Sequence, residues 1–533
     1  MLAQTSYTSY YYRVILKIWT VKIMSDVLSD YQKLMEKFRN LAVFESAIAI
    51  IQWDMETKMP PKGIGLRSQQ LAMLSGIDHK MTTDPEIGAM LDKIMKSKEY
   101  EKLDAVQKRN IFLTKKQYDE QSKLPEKLVV DIAKQRAISV DTWKKAKAAK
   151  NFKMFRPELE KLVALQKEAA TILMKVKETA TPYDALIDIF EPKMDARTIT
   201  RVFDELRFGL VTLIDKCKKA PKQPDMRVLK HKMSTETQCK LATALAESVG
   251  YDVTSKQAGG RIDETEHPFT TGYYDDVRIT THYFENMYAS SIFSVLHEAG
   301  HAMYEQGLNR EWMYQPVGTG CSSGFHESQS RFVENIVGRS REFWVHFLPK
   351  MRKIAGRTLA NVELNKFVHA INQVRPSKIR VEADEVTYCL HIIIRFQIEQ
   401  DLFADKIKVN ELPEIWNQKY KEYLNIRIEN DSEGVMQDTH WASGLYGYFP
   451  SYALGNIYSG QELVVLEKNV PDWRKQLTKG NFQPTKQWLN KNIHMQGNLY
   501  DPQILLKKVT GKTLDVKPYL TYLNEKYSNL YGF

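Results

Sequence analysis

The sequence predicts a mainly α-helical protein with one small β-sheet. Along most of the 533 residues, apolar side chains recur every three or four positions, the spacing that places them on one face of a helix. Two such stripes are Leu159, Leu162, Val163 and Leu165, and Ile199, Val202, Phe203 and Leu206. The chain contains only 19 Pro and 25 Gly, with no low-complexity run and no visible repeat, so we expect a single large domain over residues 25–533.

Residues 259–284 depart from the helical pattern. Gly259-Gly260 opens this stretch, Thr270-Thr271-Gly272 follows, and Val277-Arg278-Ile279-Thr280 alternates apolar and polar side chains. Alternation with period two is typical of a half-buried strand. We therefore expect a small antiparallel sheet here, shortly before the histidine-rich segment described below.

Composition limits the classes of partner. The net charge of +11 comes from 76 basic against 65 acidic residues and is spread over many predicted helix faces. There is no basic stripe interleaved with aromatic residues, so a nucleic-acid partner is not expected. The four cysteines, Cys217, Cys239, Cys321 and Cys389, are widely spaced and form no Cys-x-x-Cys pair. This usage favours a reducing cytoplasm over a disulfide framework or a cysteine zinc site.

The first 24 residues do not fit the rest of the chain. They contain no acidic residue, carry Tyr10-Tyr11-Tyr12 and end in an apolar and basic run. Lys17 and Lys22 interrupt that run, so it is too short and too charged to span a bilayer, and we expect no membrane partner. It also lacks the cleavage site of a secretory signal. We interpret residues 1–24 as an extension upstream of a true start at Met24, with a transit peptide as the alternative.

The most informative motif is His297-Glu298-Ala299-Gly300-His301. On a helix, positions i and i+4 lie on one face, so the two imidazoles can bind one cation, and Glu298 can serve as a base towards water. Ser290 and Ser291 are candidate caps for this helix. Its predicted apolar face consists of Ile292, Val295, Leu296, Ala299 and Met303. Six of the 12 histidines lie between residues 267 and 346, which favours a metal site over scattered surface histidines.

A catalytic zinc ion needs a third protein ligand. The best candidate is Glu327, which lies 26 residues after His301, beyond a stretch rich in small residues that can turn the chain towards a second helix. Glu334 is the competing ligand, because seven residues correspond to two helical turns. His326 is adjacent to Glu327 and points in another direction, so we expect it at most to support a ligand.

The motifs around these residues resemble those of a known protein family. The sequence His-Glu-Ala-Gly-His, followed by Gly-Phe-His-Glu-Ser-Gln-Ser over residues 324–330, resembles the thermostable (Taq-type) carboxypeptidases, a family of zinc metallopeptidases. Further motifs resemble this family in the same order from about residue 30 to the C-terminus. They are Trp53-Asp54-Met55-Glu56-Thr57 with Met59-Pro60-Pro61, His267-Pro268-Phe269, Asp276–Thr280, Ile379–Asp384 and Gly434–Trp441.

The resemblance implies a function and a mechanism. It implies a helical domain with a deep substrate groove and a zinc ion bound by His297, His301 and Glu327, with Co²⁺ as an alternative metal. The enzyme would release amino acids one at a time, with broad specificity, from peptides with a free C-terminal carboxylate. Metal-activated water and Glu298 as general base would carry out the hydrolysis. The resemblance also implies a homodimer.

Two further pairs of residues are candidates by the same resemblance. His440 and Tyr448 occur in segments that resemble the part of the family facing the metal, so we expect them to stabilise the oxyanion; Tyr446 and Tyr452 are alternatives. The family motifs also contain Arg380 and Arg278, whose planar guanidinium groups suit a carboxylate. Arg380 is our first choice for the substrate C-terminus, with Arg278 limiting how much peptide extends past the metal. The alternative is a structural ion pair, with Asp384 or Asp276 as the local partner. Asp438 and Glu382 are candidate acceptors for imidazole N–H groups.

Two other classes of protein share the metal residues. A helical zinc endopeptidase would differ only at the closed end of the groove, and comparing amidated with free-acid peptides separates it from a carboxypeptidase. A silent scaffold protein would have no need of Glu298, whose presence argues against that class.

Overall fold

The mainly helical class is confirmed. The computed structural model describes the backbone of residues 5–533 and the side chains from residue 26 onward. The predicted extension over residues 1–24 lies outside the residues whose side chains are described. The chain divides into two compact units, one formed by residues up to 122 with 309–319, and the other by residues 123–308 with 320–533. The boundary that we expect at residue 25 stays a prediction.

In its described residues, the smaller unit contains four helices and an apolar core. Its helices are α1 Thr5–Thr57, α2 Ile64–Thr82, α3 Pro85–Lys96 and α4 Ala105–Lys123. The core includes Leu34, Ile94 and Ile111, each fully buried. Beside it, the Asn110 amide donates to Tyr31 Oη at 2.9 Å and accepts from the Val317 backbone N–H at 2.9 Å. This amide therefore ties residues 309–319 to the helices of the smaller unit.

The larger unit contains sixteen helices of the described chain. Those before the sheet are α5 Glu126–Ala148, α6 Phe152–Lys177, α7 Pro182–Phe190, α8 Ala196–Lys219 and α9 Thr235–Ser248. Those after it are α10 Tyr288–Gly307, α11 Ser323–Arg331, α12 Arg341–Ala355, α13 Leu364–Ile371, α14 Tyr388–Phe403, α15 Leu412–Leu424, α16 Phe449–Asn469, α17 Trp473–Thr478, α18 Gln483–Asn492, α19 Pro502–Thr510 and α20 Lys517–Tyr531. A π-helix, Phe332–Val337, directly follows α11.

The predicted sheet is present, but one pairing differs from the expectation. Its strands are β1 Gly260–Glu264, β2 Thr270–Tyr273 and β3 Asp276–Thr281, in the order β1-β3-β2. β2 and β3 form an antiparallel hairpin, whereas β1 and β3 are parallel, so the sheet is mixed and not antiparallel. The reason is that β3 inserts between the other two strands. The chain reverses once into β2 and again into β3, which returns β3 to the direction of β1.

Helix α10 carries the histidine motif and begins earlier than expected. Its predicted apolar face is buried, as the spacing indicates. The predicted caps Ser290 and Ser291 are wrong, because the helix already begins at Tyr288 and no side chain caps it. Ser291 instead donates to the Gln238 side chain of α9 at 2.8 Å and so joins the two helices.

Two glycines allow close packing around α11. A Cβ on Gly300 of α10 would lie 2.6 Å from the Gln329 carbonyl oxygen, and one on Gly455 of α16 would lie 2.7 Å from Glu327 Cβ. Since L side chains do not fit at these distances, glycine lets both helices approach α11 directly. Ser322 caps α11 by accepting from the Phe325 backbone N–H at 3.0 Å. Together these contacts fix Glu327 beside the histidine motif.

Among the described helices, none is both long enough and apolar enough to cross a membrane.

Candidate metal centre

Helix α10 and helix α11 bring three ligand-type side chains together. His297 and His301 are one turn apart on α10, with ring centroids 4.9 Å apart, and Glu327 lies on α11. One ligand atom from each side chain lies within 4.8 Å of the others. The i, i+4 spacing predicts the histidine pair, and the close approach of α11 supplies the carboxylate.

The distances fit a tetrahedral zinc site. Glu327 Oε2 lies 3.4 Å from His301 Nε2 and 3.7 Å from His297 Nε2. Tetrahedral ligands with bond lengths of about 2.1 Å are separated by roughly 3.4 Å. Burial lowers the pKa of His301 to about 3, so its imidazole is neutral and has a lone pair to offer. Two imidazoles and one carboxylate form a donor set that suits zinc.

Hydrogen bonds determine which nitrogen of each imidazole is free. Glu334 Oε2 lies 2.9 Å from His297 Nδ1, and a carboxylate accepts, so Nδ1 carries the proton and Nε2 is free. His301 Nδ1 lies 2.6 Å from His326 Nδ1, and His326 Nε2 lies 2.7 Å from Glu305 Oε1. Glu305 can only accept, so His326 accepts at Nδ1 and His301 donates. Both histidines therefore present Nε2 towards Glu327.

Glu334 lies behind His297 because the helix changes its winding. The expectation that Glu334 competes as a ligand assumed an uninterrupted α-helix after Glu327, whereas a π-helix begins at Phe332. Arg331 lies between the two acids, with Nε 2.6 Å from Glu327 Oε1 and Nη1 3.0 Å from Glu334 Oε2. Burial raises the pKa of both carboxyls, but Arg331 and His297 with the other charged and hydrogen-bonding neighbours together outweigh it. They hold the pKa of Glu327 well below its usual range and that of Glu334 at about 2. Both acids are therefore ionised.

Glu298 is buried and held by the sheet. The residue is 6 % exposed, and Thr270 of β2 donates through Oγ1 to Glu298 Oε2 at 2.6 Å. The same hydroxyl lies 3.0 Å from the Glu298 backbone oxygen. Burial raises the pKa of this carboxyl above its ordinary value. A raised pKa increases its strength as a base.

His440 and Tyr448 pack together in the same unit. Their rings stack with centroids 5.8 Å apart, and the ring centroids of Tyr448 and Tyr452 are 5.1 Å apart. Burial, assisted by Arg380, lowers the pKa of His440 to about 3, so its ring is neutral. Burial raises the pKa of Tyr448, a hydrogen bond with Tyr452 opposes this, and the charges of Glu327 and Glu298 raise the pKa further. The alternative Tyr446 is buried, and its hydroxyl lies 3.4 Å from the Trp441 carbonyl oxygen.

Both candidate arginines form ion pairs. Arg278 of β3 pairs with Asp276 through two contacts of 2.7 Å, as the alternative interpretation expects. Arg380 binds Asp438 through two contacts of 3.0 Å, so Asp384 as its partner is wrong. Asp384 instead accepts from the Arg375 and Thr387 backbone N–H groups.

Asp438 accepts hydrogen bonds from two arginines rather than from an imidazole. Besides Arg380, Arg395 donates to its Oδ2 at 2.5 Å. The expected role of Asp438 and Glu382 as acceptors for the imidazole N–H groups is taken by Glu334 and His326. Because one carboxylate faces two guanidinium groups, the cluster of Arg380, Arg395 and Asp438 keeps an excess positive charge.

Sequence and structure comparisons match the chain to proteins of one family. The family described as "Carboxypeptidase Taq (M32) metallopeptidase" matches residues 33–527. The chain belongs to the M32 carboxypeptidase family. It is 39 % identical to thermostable carboxypeptidase 1 of Thermus thermophilus over 94 % of this chain and 99 % of that protein. Carboxypeptidase 1 of Bacillus subtilis is 36 % identical over 95 % and 99 %. The crystal structure of an M32 carboxypeptidase from Deinococcus radiodurans superposes with a TM-score of 0.90, at 34 % identity, over 95 % of this chain and all of that one.

Membership confirms the resemblance drawn from the motifs. The chain is a metallocarboxypeptidase, an enzyme that hydrolyses peptides, and a metallopeptidase requires a metal ion. Among the described residues, the group formed by His297, His301 and Glu327 fits such an ion in distance and in donor chemistry.

Four supporting residues were not found by sequence reasoning. Thr270 was expected only as part of the sheet, Glu305 and Arg331 were not among the predicted site residues, and Glu334 was expected only as a competing ligand. Arg331 had a detectable signal, because it lies four residues after Glu327 and three before Glu334, the spacings at which helical side chains meet. Thr270 and Glu305 had no such signal in the sequence, because their contacts with Glu298 and His326 depend on how the sheet and α11 pack against α10.

Proposed function

We propose that this M32 enzyme is a zinc-dependent carboxypeptidase of broad specificity that releases amino acids one at a time from the C-terminus of peptides. The observation that carries the proposal is the meeting of His297, His301 and Glu327 at the edge lengths of a zinc tetrahedron. Broad specificity and a homodimeric state rest on the family resemblance of the motifs. Cobalt is the alternative metal, because the same nitrogen and oxygen donors suit it.

His297, His301 and Glu327 would hold the zinc ion, each through the atom that faces the others. When bound, the ion would lower the pKa of water and polarise the scissile carbonyl. Glu334 and His326 keep the two imidazoles in the tautomer whose Nε2 is free. Arg331 keeps Glu327 ionised, so its oxygen is available without a proton.

Glu298 would act as the general base. Thr270 donates to Oε2, so we assign Oε1 as the atom that takes the proton from the attacking water. Glu298 would then pass this proton to the leaving amine. The hydrogen bond from Thr270 restricts rotation of the carboxyl group, which keeps the proton acceptor in one orientation.

His440 and Tyr448 would stabilise the oxyanion. A neutral imidazole can donate one N–H, and His440 Nδ1 has no hydrogen-bond partner among the described residues. The raised pKa of Tyr448 keeps its phenol protonated, so it is a donor as well. Both donors are in place before the reaction, whereas the negative charge develops only in the transition state. They therefore stabilise the transition state more than the substrate.

Arg380 would recognise the substrate carboxylate. Arg380 is 6 % exposed, and its guanidinium group shares Asp438 with Arg395, so the excess positive charge of the cluster is only weakly screened by water. An entering carboxylate would balance that charge. Arg278 is the second candidate, and its ion pair with Asp276 would have to open or reorient for it to contact a peptide.

The remaining parts of the proposal concern the cellular compartment and the partners of the enzyme. The spacing of the four cysteines favours the cytoplasm. The spread of charge without a basic, aromatic stripe argues against nucleic acid as a partner. We propose that the partners are peptide substrates and a second copy of the chain, and that no membrane is involved.

The proposal is tested by metal analysis together with amino-acid release. An N-blocked peptide with a free C-terminus is compared with the same peptide carrying a C-terminal amide, using wild type and Glu298→Gln. We expect about one zinc ion per chain in both proteins. We also expect sequential release of terminal residues by wild type only, with a rate loss of at least about 100-fold in the variant.

Two outcomes would contradict parts of the proposal. Cleavage of the amidated peptide at internal bonds, as fast as release from the free acid, would indicate an endopeptidase. Loss of metal from Glu298→Gln would mean that Glu298 is a ligand. Thr114→Val in the smaller unit serves as a control for handling losses, because its hydroxyl donates to the Asn110 carbonyl oxygen of its own helix.

A further inference from the structure

One buried acid contacts the segment that carries His440 and Tyr448 at two points. Glu399 of α14 is fully buried, and both of its carboxylate oxygens accept hydrogen bonds from that segment. The Trp441 indole N–H donates to Oε1 at 2.7 Å, and the Gly447 backbone N–H donates to Oε2 at 2.9 Å. Trp441 directly follows His440, and Gly447 directly precedes Tyr448. The two hydrogen bonds therefore lie next to both proposed oxyanion donors.

The segment itself has no regular secondary structure. All residues between the end of α15 at Leu424 and the start of α16 at Phe449 are described, and none of them belongs to a helix or a strand. A turn follows His440, whose carbonyl oxygen accepts from the Leu445 backbone N–H at 2.9 Å. Side chains on such a segment are held less precisely than side chains on helices or strands. The relative position of the two donors therefore depends on contacts with neighbouring elements.

Helix α7 supports the same contact from the other side. The Tyr183 hydroxyl donates to Glu399 Oε2 at 2.9 Å, which is the oxygen that also accepts from Gly447. Gly447 has a φ of +75°, and a Cβ there would lie 2.7 Å from the Ile187 backbone nitrogen. Glycine therefore allows the segment to approach both α7 and the carboxylate of Glu399.

Glu399 accepts hydrogen bonds from uncharged donors. An indole N–H and a backbone N–H can only donate, so each carboxylate oxygen faces a group that requires an acceptor. Among the described residues, no cation lies within ion-pair distance of this carboxylate. Burying a carboxylate without a cation costs free energy, and an apolar side chain would fill the same space at lower cost. Packing alone therefore does not explain an acid at this position.

We infer that Glu399 is a positioning residue for oxyanion stabilisation. It holds His440 through Trp441 and Tyr448 through Gly447, so that both donors face the reacting carbonyl group together. Donors that are already in position need no reorganisation when negative charge develops in the transition state. Loss of Glu399 should therefore lower kcat and leave KM nearly unchanged. This inference rests on the proposed function, which assigns His440 and Tyr448 to the oxyanion.

Glu399→Gln tests the inference in the zinc-loaded enzyme. Burial raises the pKa of Glu399 to about 7, so the measurements are made at pH 8, where the wild-type group is ionised. The amide keeps one oxygen and replaces the other with a donor, so either Trp441 or Gly447 loses its acceptor. Amide hydrogen exchange over residues 439–448 should become faster. We expect kcat to fall roughly tenfold or more and KM to stay within about twofold, at unchanged zinc content.

Asp184→Asn is the matched control for loss of a buried acid. Asp184 is also buried and accepts from uncharged donors, the Thr181 hydroxyl and the Ala196 backbone N–H, both at 2.7 Å. These partners lie outside residues 439–448, so kcat and hydrogen exchange over that segment should match wild type. Unchanged exchange and unchanged kcat in Glu399→Gln would overturn the inference, as would equal losses of kcat in the two variants.

A double-mutant comparison separates positioning from a general structural effect. In an enzyme that carries both His440→Ala and Tyr448→Phe, Glu399→Gln has no donors left to position and should change kcat by less than about twofold. Affinity for a phosphinic peptide, a tetrahedral mimic of the transition state, is measured in parallel and should follow the same pattern. A full additional loss in that background would overturn the inference. Wild-type kcat in the enzyme that lacks both donors would instead show that the oxyanion part of the proposed function is wrong.

Trp441→Phe tests the same link if Glu399→Gln does not fold. Phenylalanine keeps an aromatic ring beside Trp416, whose ring centroid lies 5.8 Å from that of Trp441, and removes only the N–H donor and part of the ring system. Glu399 then no longer holds the side of the segment next to His440. We expect a lower kcat with unchanged KM and faster hydrogen exchange over residues 439–448. Wild-type kcat and wild-type exchange in Trp441→Phe would overturn the inference.

Discussion

The backbone of Gly455 lies directly against the side chain of Glu327. A Cβ at position 455 would be 2.7 Å from both Cβ and Cγ of Glu327, closer than real Cβ atoms come to other carbon atoms. Helix α16 therefore limits the space available to the Glu327 side chain. The position of the proposed third ligand depends on the absence of a side chain on a neighbouring helix.

Gly455→Ala should therefore weaken metal binding. The added methyl group must displace Glu327 or α16, and we expect zinc affinity to fall roughly tenfold or more, with a loss of about 1–3 kcal/mol in stability. Zinc titration against a competing chelator measures the affinity. Gly76→Ala is the control, because a Cβ there meets no atom within 4 Å, and alanine should stabilise α2 slightly. Unchanged zinc affinity in Gly455→Ala would show that the contact does not position Glu327.

Arg380→Ala should impair free-acid substrates selectively. Loss of a charge-assisted contact costs about 2–5 kcal/mol when water is excluded, so kcat/KM should fall roughly 30- to 3,000-fold. Amidated peptides make no such ion pair, and their slow hydrolysis should change little. Arg380→Lys should restore only part of the rate, because an ammonium group lacks the two-pronged geometry. Equal losses on both substrates would assign Arg380 a structural role through Asp438, and Arg278→Ala would then be tested in the same way.

His326→Phe should weaken zinc binding without removing a ligand. The ring keeps the packing against Tyr304 but cannot accept from His301 Nδ1, so the tautomer of His301 is no longer fixed. Loss of such support typically lowers metal affinity about 10- to 100-fold. His231→Phe, at an exposed position, should bind zinc as wild type does. Equal affinities of His326→Phe and wild type would show that Glu305 and His326 do not orient the ligand.

Glu462→Gln should make the free energy of unfolding less dependent on pH. Glu462 is fully buried, and burial raises its pKa to about 7. A carboxyl whose pKa rises on folding stabilises the fold while protonated. That contribution is complete below its unfolded pKa and is lost as the pH rises towards 7. Between pH 5 and pH 7.5, wild type should lose up to about 3 kcal/mol relative to the variant, as measured by urea unfolding at each pH. Parallel pH profiles of the two proteins would contradict this, and Glu414→Gln at an exposed position is the control.

The metal centre was predictable where it depends on local spacing. His297, Glu298 and His301 follow from one helical motif, and the burial of the predicted apolar face of α10 agrees with its periodicity. Glu327 came from a motif in a second helix, and the position of that helix beside α10 depends on Gly300 and Gly455. No local pattern in the sequence indicates which helix packs against a glycine.

Other features were not predictable because they depend on packing between distant segments. The alternation in residues 277–280 indicates a strand but does not determine its neighbours, so the parallel pairing of β1 with β3 was missed. Arg380 was assigned a partner close in sequence, whereas Asp438 reaches it from 58 residues away. Glu334 was placed by α-helical geometry, which the π-helix at Phe332 changes.

The metal content of Glu327→Ala and Glu334→Ala tests the central claim most directly. Both variants remove a buried acid that contacts Arg331, so they perturb the surroundings similarly. If His297, His301 and Glu327 hold the metal, Glu327→Ala should lose most of its zinc after dialysis against a weak chelator. Glu334→Ala should keep most of its zinc, with only the weakening expected from a less well oriented His297. Equal zinc content in the two variants, or greater loss from Glu334→Ala, would contradict the assignment.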